Sequence, residues 1–376
     1  RWGPRAAAWG GGEGETRGRG DEQAGAKESG QGQYVTVLGP AGMGKTRWVE
    51  HFLSGVGADA RVLRGRCVSY GRGITYWPLV QVLRESAGLI GEESADATKK
   101  ALLALMDGAR GEVAVVDTLL PLFGFGGEQG GTEETFWAVR SVLEHLALQG
   151  PVVGSIEDIH WAEPTLLDLI ERLRDEARDG PLLLVCQARP ELLEARPGWG
   201  GGALNATTFL LEPITGQDTG ALRDGLIGPG VPAQVVAAVQ GWAGGNPLFV
   251  EEVASHLVEN GVLRRHQGGW VVAGVLTKAV VPPTVTALLA ARLDRLPAPE
   301  RGLLERISVI GLEVSTDDAA ALSGGDSDVV EILASLGRRD LLRRGRGLRA
   351  DTWAFRHVLL REAAYESLPK SVRAEL

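Results

Sequence analysis

The chain has 376 residues, a formal net charge of −9, and 44% hydrophobic against 23% charged residues. That is enough for two or three domains with real cores and is ordinary for a globular protein. The acidic balance argues against a polyanion binder acting through overall charge, and no apolar run approaches the ~18–20 residues of a membrane-spanning helix.

In chain order, residues 1–32 are rich in Gly, Glu and Arg with almost no apolar periodicity, and disorder is expected there. The missing initiator Met points to a fragment or a lost start. Tyr34–Leu38 reads as a buried strand and Lys45–Leu53 as a helix. A second strand at Arg61–Val68 and a helix at Trp77–Ala87 follow, and then mostly helical periodicity over 94–149 with a Gly-rich break near 124–131. Pro151–Ile156 is the next strand. Glu163–Ala177 is a helix with Leu166, Leu167, Leu169, Ile170 and Leu173 on one face and Pro164 in its first turn. Pro181–Gln187 and Thr207–Leu211 supply two more strands. Strands alternating with helices at this spacing predict a parallel sheet with right-handed crossovers.

Helices expected around 217–226, 232–242 and 247–260 suggest a helical lid over 214–280. From 281 to 376, helices near 284–295, 298–309, 316–322 and 327–337, a basic two-stranded segment about Leu341–Phe355 and a last helix His357–Ser367 read as a winged helix. The expected architecture is therefore an α/β P-loop NTPase domain over 33–213, a parallel sheet with flanking helices, followed by the lid and the winged-helix domain.

The strongest motif is Gly39-Pro40-Ala41-Gly42-Met43-Gly44-Lys45-Thr46, a full G-x-x-x-x-G-K-[ST] between a strand and a helix. Glycines let the backbone curl so that successive N–H groups face the phosphates, and the helix adds its positive end. Lys45 is expected to reach the β- and γ-phosphates of ATP, or of another nucleoside triphosphate, and Thr46 to hold Mg²⁺.

The second motif, Val152-Val153-Gly154-Ser155-Ile156-Glu157-Asp158, ends in paired carboxylates. Downstream of a phosphate loop, one acid would anchor Mg²⁺ and the other polarise the attacking water; the bland alternative is a solvated acidic turn. Arg189 ends a strand at the carboxyl edge of the sheet, either as a γ-phosphate sensor or as a surface arginine before Pro190. Gly244-Gly245-Asn246-Pro247-Leu248 precedes a helix, and its spacing assigns no chemistry. Arg338, Arg339, Arg343, Arg344, Arg346 and Arg349 read as a solvated hairpin rather than a DNA-gripping wing, so no direct DNA binding is expected. Cys67 and Cys186 lie in apolar runs without metal-ligand spacing, and are expected to be buried, reduced thiols of a cytoplasmic protein.

Taken together, Gly39–Thr46, Arg64-Gly65-Arg66-Cys67, Thr75-Tyr76-Trp77-Pro78-Leu79, Glu157–Pro164, Ala188–Leu193, Gly245–Glu252, and Phe355-Arg356-His357 with Arg361–Tyr365 resemble the AAA-type ATPase module of STAND signalling ATPases over about residues 33–376. Such modules accompany class III adenylate/guanylate cyclase domains or LuxR-type DNA-binding domains, usually with tetratricopeptide repeats. The cyclase-associated version is the more similar, and larger-chain partners and oligomerisation in the active state are implied. The resemblance implies that Pro247 packs on adenine, that His357 lies near the β-phosphate of ADP in a closed state, and that Arg189 is a sensor. Relatives favour Asp where Glu157 stands, which leaves the metal and base roles open between Glu157 and Asp158. The valine-glycine-arginine box that contacts the base in relatives is absent from residues 1–32. Three functions fit: a nucleotide-operated signalling switch with slow ATP hydrolysis, an origin-binding or loader-type AAA+ ATPase, and a non-hydrolysing scaffold.

Overall fold

The computed structural model describes residues 32–57, 60–68, 75–89, 93–126, 130–177, 180–214, 231–266, 269–273, 284–323, 328–345 and 351–375. All but Gly32 of the amino-terminal segment, the helix expected at 217–226, and Arg346 and Arg349 lie outside the described residues.

The chain divides into two units, Arg1–Pro40 with Gly44–Glu212, and Ala41–Met43 with Pro213–Leu376. In the first, strands β1 (Gln33–Leu38), β2 (Arg61–Arg66), β3 (Val152–Glu157), β4 (Leu182–Ala188) and β5 (Ala206–Leu210) form one sheet of order β2-β3-β4-β1-β5. Every pairing in it is parallel. β4 is buried along its whole length, which suits a central strand covered on both faces and explains its near-continuous apolar run. Of the edge strands, β2 mixes buried with exposed positions and β5 has only half-buried and exposed ones.

Helix α1 (Lys45–Ser54) packs Val49 and Leu53 on one face of the sheet, against Val37, Val153, Leu183 and Val185. The opposite face of the sheet, with Leu182, Leu184, Cys186 and Ala188, is covered by the larger core. That core takes residues from α2 (Trp77–Ala87), α3 (Ala95–Leu105), α4 (Glu112–Leu119), α5 (Thr132–Gln149) and α6 (Pro164–Glu176). In α6, the five apolar residues read from their spacing are the buried ones. A short helix α7 (Glu191–Ala195) follows β4. The three-layer arrangement brings the carboxyl ends of β1, β3 and β4 to one edge, where open α/β sheets bind ligands.

In the second unit, α8 (Ala233–Ala243) and α9 (Pro247–Glu259) precede an antiparallel hairpin of β6 (Leu263–His266) and β7 (Gly269–Val272). The region read as a purely helical lid thus contains two strands. Arg264, Arg265 and His266 are exposed, so β6 shows little apolar alternation. Then come α10 (Val285–Leu293), α11 (Ala298–Ile310), α12 (Thr316–Leu322), α13 (Val329–Arg338), α14 (Val358–Ser367) and α15 (Lys370–Glu375). Around them β8 (Glu313–Ser315), β9 (Leu342–Arg344) and β10 (Thr352–Phe355) make an antiparallel sheet of order β8-β10-β9. It has three strands where the sequence suggested two, because the three-residue β8 is too short to leave a pattern. Leu304, Ile307, Leu333, Leu336 and Leu360, each at most 1% exposed, fill its core.

Candidate nucleotide site

β1 delivers the chain to Gly39, whose N–H donates to the Ala188 carbonyl at 3.2 Å. The loop turns through Gly42 and Gly44 at φ +81° and +86°, where any side chain would be strained. Gly44 is also the N-cap of α1 and offers no side-chain acceptor to the helix's first N–H groups, and there is no acidic residue in the first turn. A helix start of this kind suits an anion.

Lys45 is buried at 8% exposure, with Nζ donating to the carbonyls of Gly39 (2.6 Å) and Pro40 (3.1 Å). Burial lowers its affinity for a proton, and the field of Asp158 opposes that shift. The ammonium is therefore held inside its own loop and placed to exchange two carbonyl oxygens for phosphate oxygens. Thr46, the next residue on α1, is exposed.

The acidic pair divides its work. Register sets Arg66, the last residue of β2, against Glu157, the last of β3, and the two form an ion pair. The same guanidinium lies 3.5 Å from Asp158. Asp158 itself has φ +57°, one of two non-glycine residues in the left-handed region among the described residues. That conformation costs on the order of 1–2 kcal/mol and directs the carboxylate away from regular strand geometry. Of the pair, Asp158 is the acid whose field reaches Lys45 and His160, both of which also feel Glu191 on α7.

His160 follows in a 3₁₀ turn, Ile159–Trp161. Its Nδ1 accepts from the Arg189 backbone N–H at 3.3 Å. Burial pushes the imidazole down to about 4, so the ring is neutral and Nε2 carries the hydrogen. The Arg189 guanidinium lies over the Trp161 ring, 5.7 Å from its centroid. Gln187, two residues earlier on β4, is 1% exposed. Lys45, Glu157, Asp158 and Arg189 thus come together at one sheet edge, joined by Arg66, His160 and Gln187, which the sequence did not single out for chemistry. Their signal lies in strand register and in an unpaired amide, neither of which a motif displays.

The second unit holds the other two expected residues. Pro247 opens α9, and Asn246 caps it by accepting from the N–H groups of Leu248 (3.1 Å) and Phe249 (3.3 Å). Asn246 Nδ2 also donates to the Ala41 carbonyl at 2.9 Å, within the same unit. His357 is the N-cap residue of α14, its Nε2 3.9 Å from Glu251 on α9. Burial, aided by the Arg356 charge, pushes His357 down to about 4, so this approach is not an ion pair at neutral pH.

The donors suit magnesium. Thr46, Glu157 and Asp158 carry hard oxygen donors, and among the described residues no cluster of three or more His, Cys, Asp or Glu forms a protein-only metal cage. Mg²⁺ is characteristically held by one or two protein oxygens together with substrate phosphates and water.

A parallel sheet of this order, with a glycine loop running into a buried lysine and an acid at the end of β3, defines a P-loop NTPase. Residues 18–185 match the family model described as AAA ATPase domain. An uncharacterized protein of Rhizobium meliloti (strain 1021) is 28% identical over 373 residues, which cover 93% of this chain and 34% of that relative; the chain spans about a third of its length. Among solved structures, the Aeropyrum pernix ORC1 protein in complex with DNA has 17% identity and a TM-score of 0.37, covering 96% of this chain and 94% of that one. Cdc6p from Pyrobaculum aerophilum has 14% identity and a TM-score of 0.39, covering 98% of both chains.

Proposed function

We propose that this chain is the nucleotide-operated module of a regulatory ATPase of the STAND type, binding ATP or ADP with Mg²⁺ and hydrolysing ATP slowly. The observation that carries it is Lys45, buried within a glycine loop and facing Asp158. The loop N–H groups would bind the phosphates, Lys45 would neutralise the β- and γ-oxygens, and Arg189 would sense the γ-phosphate. Mg²⁺, held by Thr46 and Asp158, would neutralise charge between the β- and γ-phosphates. Glu157, tied to Arg66, keeps that guanidinium beside Asp158 and leaves Asp158 the better-placed acid. Pro247 would meet the adenine and His357 the β-phosphate of ADP.

Membership of a longer cyclase-associated or transcriptional regulator, oligomerisation in its active state and a cytoplasmic setting belong to the same proposal. It is supported by the relative of roughly threefold length and by two buried free cysteines, with burial pushing Cys186 up to about 12. No described helix is long and apolar enough to cross a membrane. A DNA-gripping wing is less favoured, since Arg339 pairs with Glu300 at 2.9 Å and Arg344 stacks on Trp353 at 4.1 Å.

Titration calorimetry with magnesium and nucleotide tests the site. Wild type should bind and release phosphate, and Lys45→Ala should lose both by well over tenfold. Equal behaviour of the two proteins sinks the reading. For the switch, ADP and a non-hydrolysable ATP analogue should give different protease cutting over residues 213–281, and identical patterns would refute it.

A further inference from the structure

Asn246 stands between α8 and α9, in a turn that leaves it little freedom. Gly244 and Gly245 precede it at φ +56° and +77°, its own N–H donates to the Ala243 carbonyl at 3.0 Å, and Pro247 follows as the first residue of α9. Its carboxamide is used at both ends. Oδ1 accepts from the N–H groups of Leu248 and Phe249, and Nδ2 donates to the Ala41 carbonyl at 2.9 Å. Capping a helix needs only the acceptor, which Ser or Asp supplies about equally well. The donor is what asparagine adds, and here it is directed at the glycine loop.

That bond has a neighbour. The Leu248 N–H also reaches the Gly42 carbonyl, at 3.3 Å. The first turn of α9 thus holds two successive carbonyls, those of Ala41 and Gly42, which belong to the same unit as the helix. The fit is close, since a Cβ on Gly42 would stand 2.8 Å from Asn246 Oδ1 and 2.9 Å from Leu248 Cβ. A peptide group is planar and trans, so its N–H points opposite to its C=O. Anchoring the Ala41 carbonyl therefore turns the Gly42 N–H away from α9, and anchoring the Gly42 carbonyl does the same for the Met43 N–H. Successive N–H groups turned to one side make a concavity that suits an anion, and Gly42 and Met43 lie in the middle of the phosphate-loop motif.

We propose that Asn246 is a positioning residue of the nucleotide site, holding the Ala41 carbonyl so that the Gly42 and Met43 N–H groups are set towards the phosphates before nucleotide arrives. This rests on the nucleotide-site reading and adds the side chain that preorganises the loop. A loop already held has less freedom to lose on binding, and the difference appears as affinity. The effect belongs to the loop and not to the length of the phosphate tail, so it applies to ADP and ATP alike.

The test uses the full chain. ADP and a non-hydrolysable ATP analogue, each with magnesium, are titrated into wild type, Asn246→Asp, Asn246→Ser, Asn246→Ala and Lys45→Ala, and melting is followed without nucleotide. Asn246→Asp keeps the cap acceptor and has no donor, while Asn246→Ser keeps a cap acceptor on a side chain too short to reach Ala41. Both should melt close to each other and above Asn246→Ala, which loses the cap as well. All three should bind both nucleotides roughly tenfold more weakly than wild type. Asn246→Ser brings no charge, so a loss it shares with Asn246→Asp does not come from repulsion of the phosphates, and it serves alone if Asn246→Asp does not fold. Wild-type affinity in Asn246→Asp and Asn246→Ser, with only Asn246→Ala weakened, would reduce Asn246 to a helix cap and overturn the proposal. A wild type that binds neither nucleotide, like Lys45→Ala, removes the nucleotide site and this proposal with it, an outcome distinct from a site that binds equally well without the Asn246 donor.

Discussion

The His357 imidazole is walled in by charges from several elements: Arg356 beside it, Asp340 and Arg343 around β9, Arg292 on α10 and Glu251 on α9. Burial comes first in pushing it down to about 4, and the Arg356, Arg343 and Arg292 charges act in the same direction while Asp340 opposes them. An unfolded histidine titrates near 6.5. Between about pH 6.5 and 4 the unfolded chain therefore binds a proton that the folded chain refuses. The stabilising contribution is complete above pH 6.5 and disappears as the pH falls through that window. Each unit corresponds to about 1.4 kcal/mol, and partial exposure of the ring reduces the total to the order of 1–2 kcal/mol. Denaturant midpoints of wild type and His357→Asn, taken from pH 7 to 4.5, should show a steeper acid-side decline in wild type. Parallel curves would mean that the imidazole is not held neutral. A diphosphate bound at this ring, as proposed above, should raise its proton affinity and flatten the wild-type curve.

At the scale of elements, β2 and α2 approach closely at Gly65. A Cβ on Gly65 would stand 2.5 Å from the Pro78 carbonyl oxygen, and Pro78 lies in the first turn of α2, so only movement of the helix relieves the clash. Gly65→Ala should cost roughly 1–3 kcal/mol in a denaturation midpoint, and a change under about 0.5 kcal/mol would show that α2 slides freely. A second contact joins α9 to α10. Glu252 is 4% exposed and its carboxylate is held 3.1 Å from Arg292, which also reaches Glu259 at 3.3 Å and donates to the Arg339 carbonyl at 2.8 Å. Burial outweighs the arginine in raising the Glu252 proton affinity. Arg292→Met should lose about 3–5 kcal/mol by stranding that acid, and Glu252→Leu added to it should recover most of the loss. A double variant no better than the single one would place the damage elsewhere. These pairings show how far the sequence carries. β3, β4 and α6 are visible because burial on one or both faces imprints an apolar run or a 3.6 period. The hairpin β6–β7 is not, since Arg264, Arg265 and His266 face solvent and leave no alternation. Lys45, Glu157 and Asp158 are legible because phosphate chemistry demands those types at those places. Arg66 and Gln187 gain their positions from the order β2-β3-β4-β1, and a strand's neighbours are chosen by tertiary packing that no local pattern records.

For the molecule taken entire, the charge of −9 sets a constraint on how it meets a nucleotide. The long-range field of an acidic chain does not attract a polyanionic ligand, so affinity has to come from the loop N–H groups, the α1 terminus and one buried ammonium. Such short-range, partly buried interactions are screened far less by salt than surface charges are. Raising salt from 50 to 300 mM should accordingly change the dissociation constant of MgATP by no more than a few fold, in contrast to the steep dependence of a surface-patch polyanion binder. The same local binding sets the stability response. At about 100 times its dissociation constant, nucleotide bound only to the folded state adds about 2.7 kcal/mol. That gain should appear as a shift of the thermal or denaturant transition in wild type and be absent in Lys45→Ala. A shift of equal size in both proteins, or one that vanishes between 50 and 300 mM salt, would assign the stabilisation to surface binding and not to the loop.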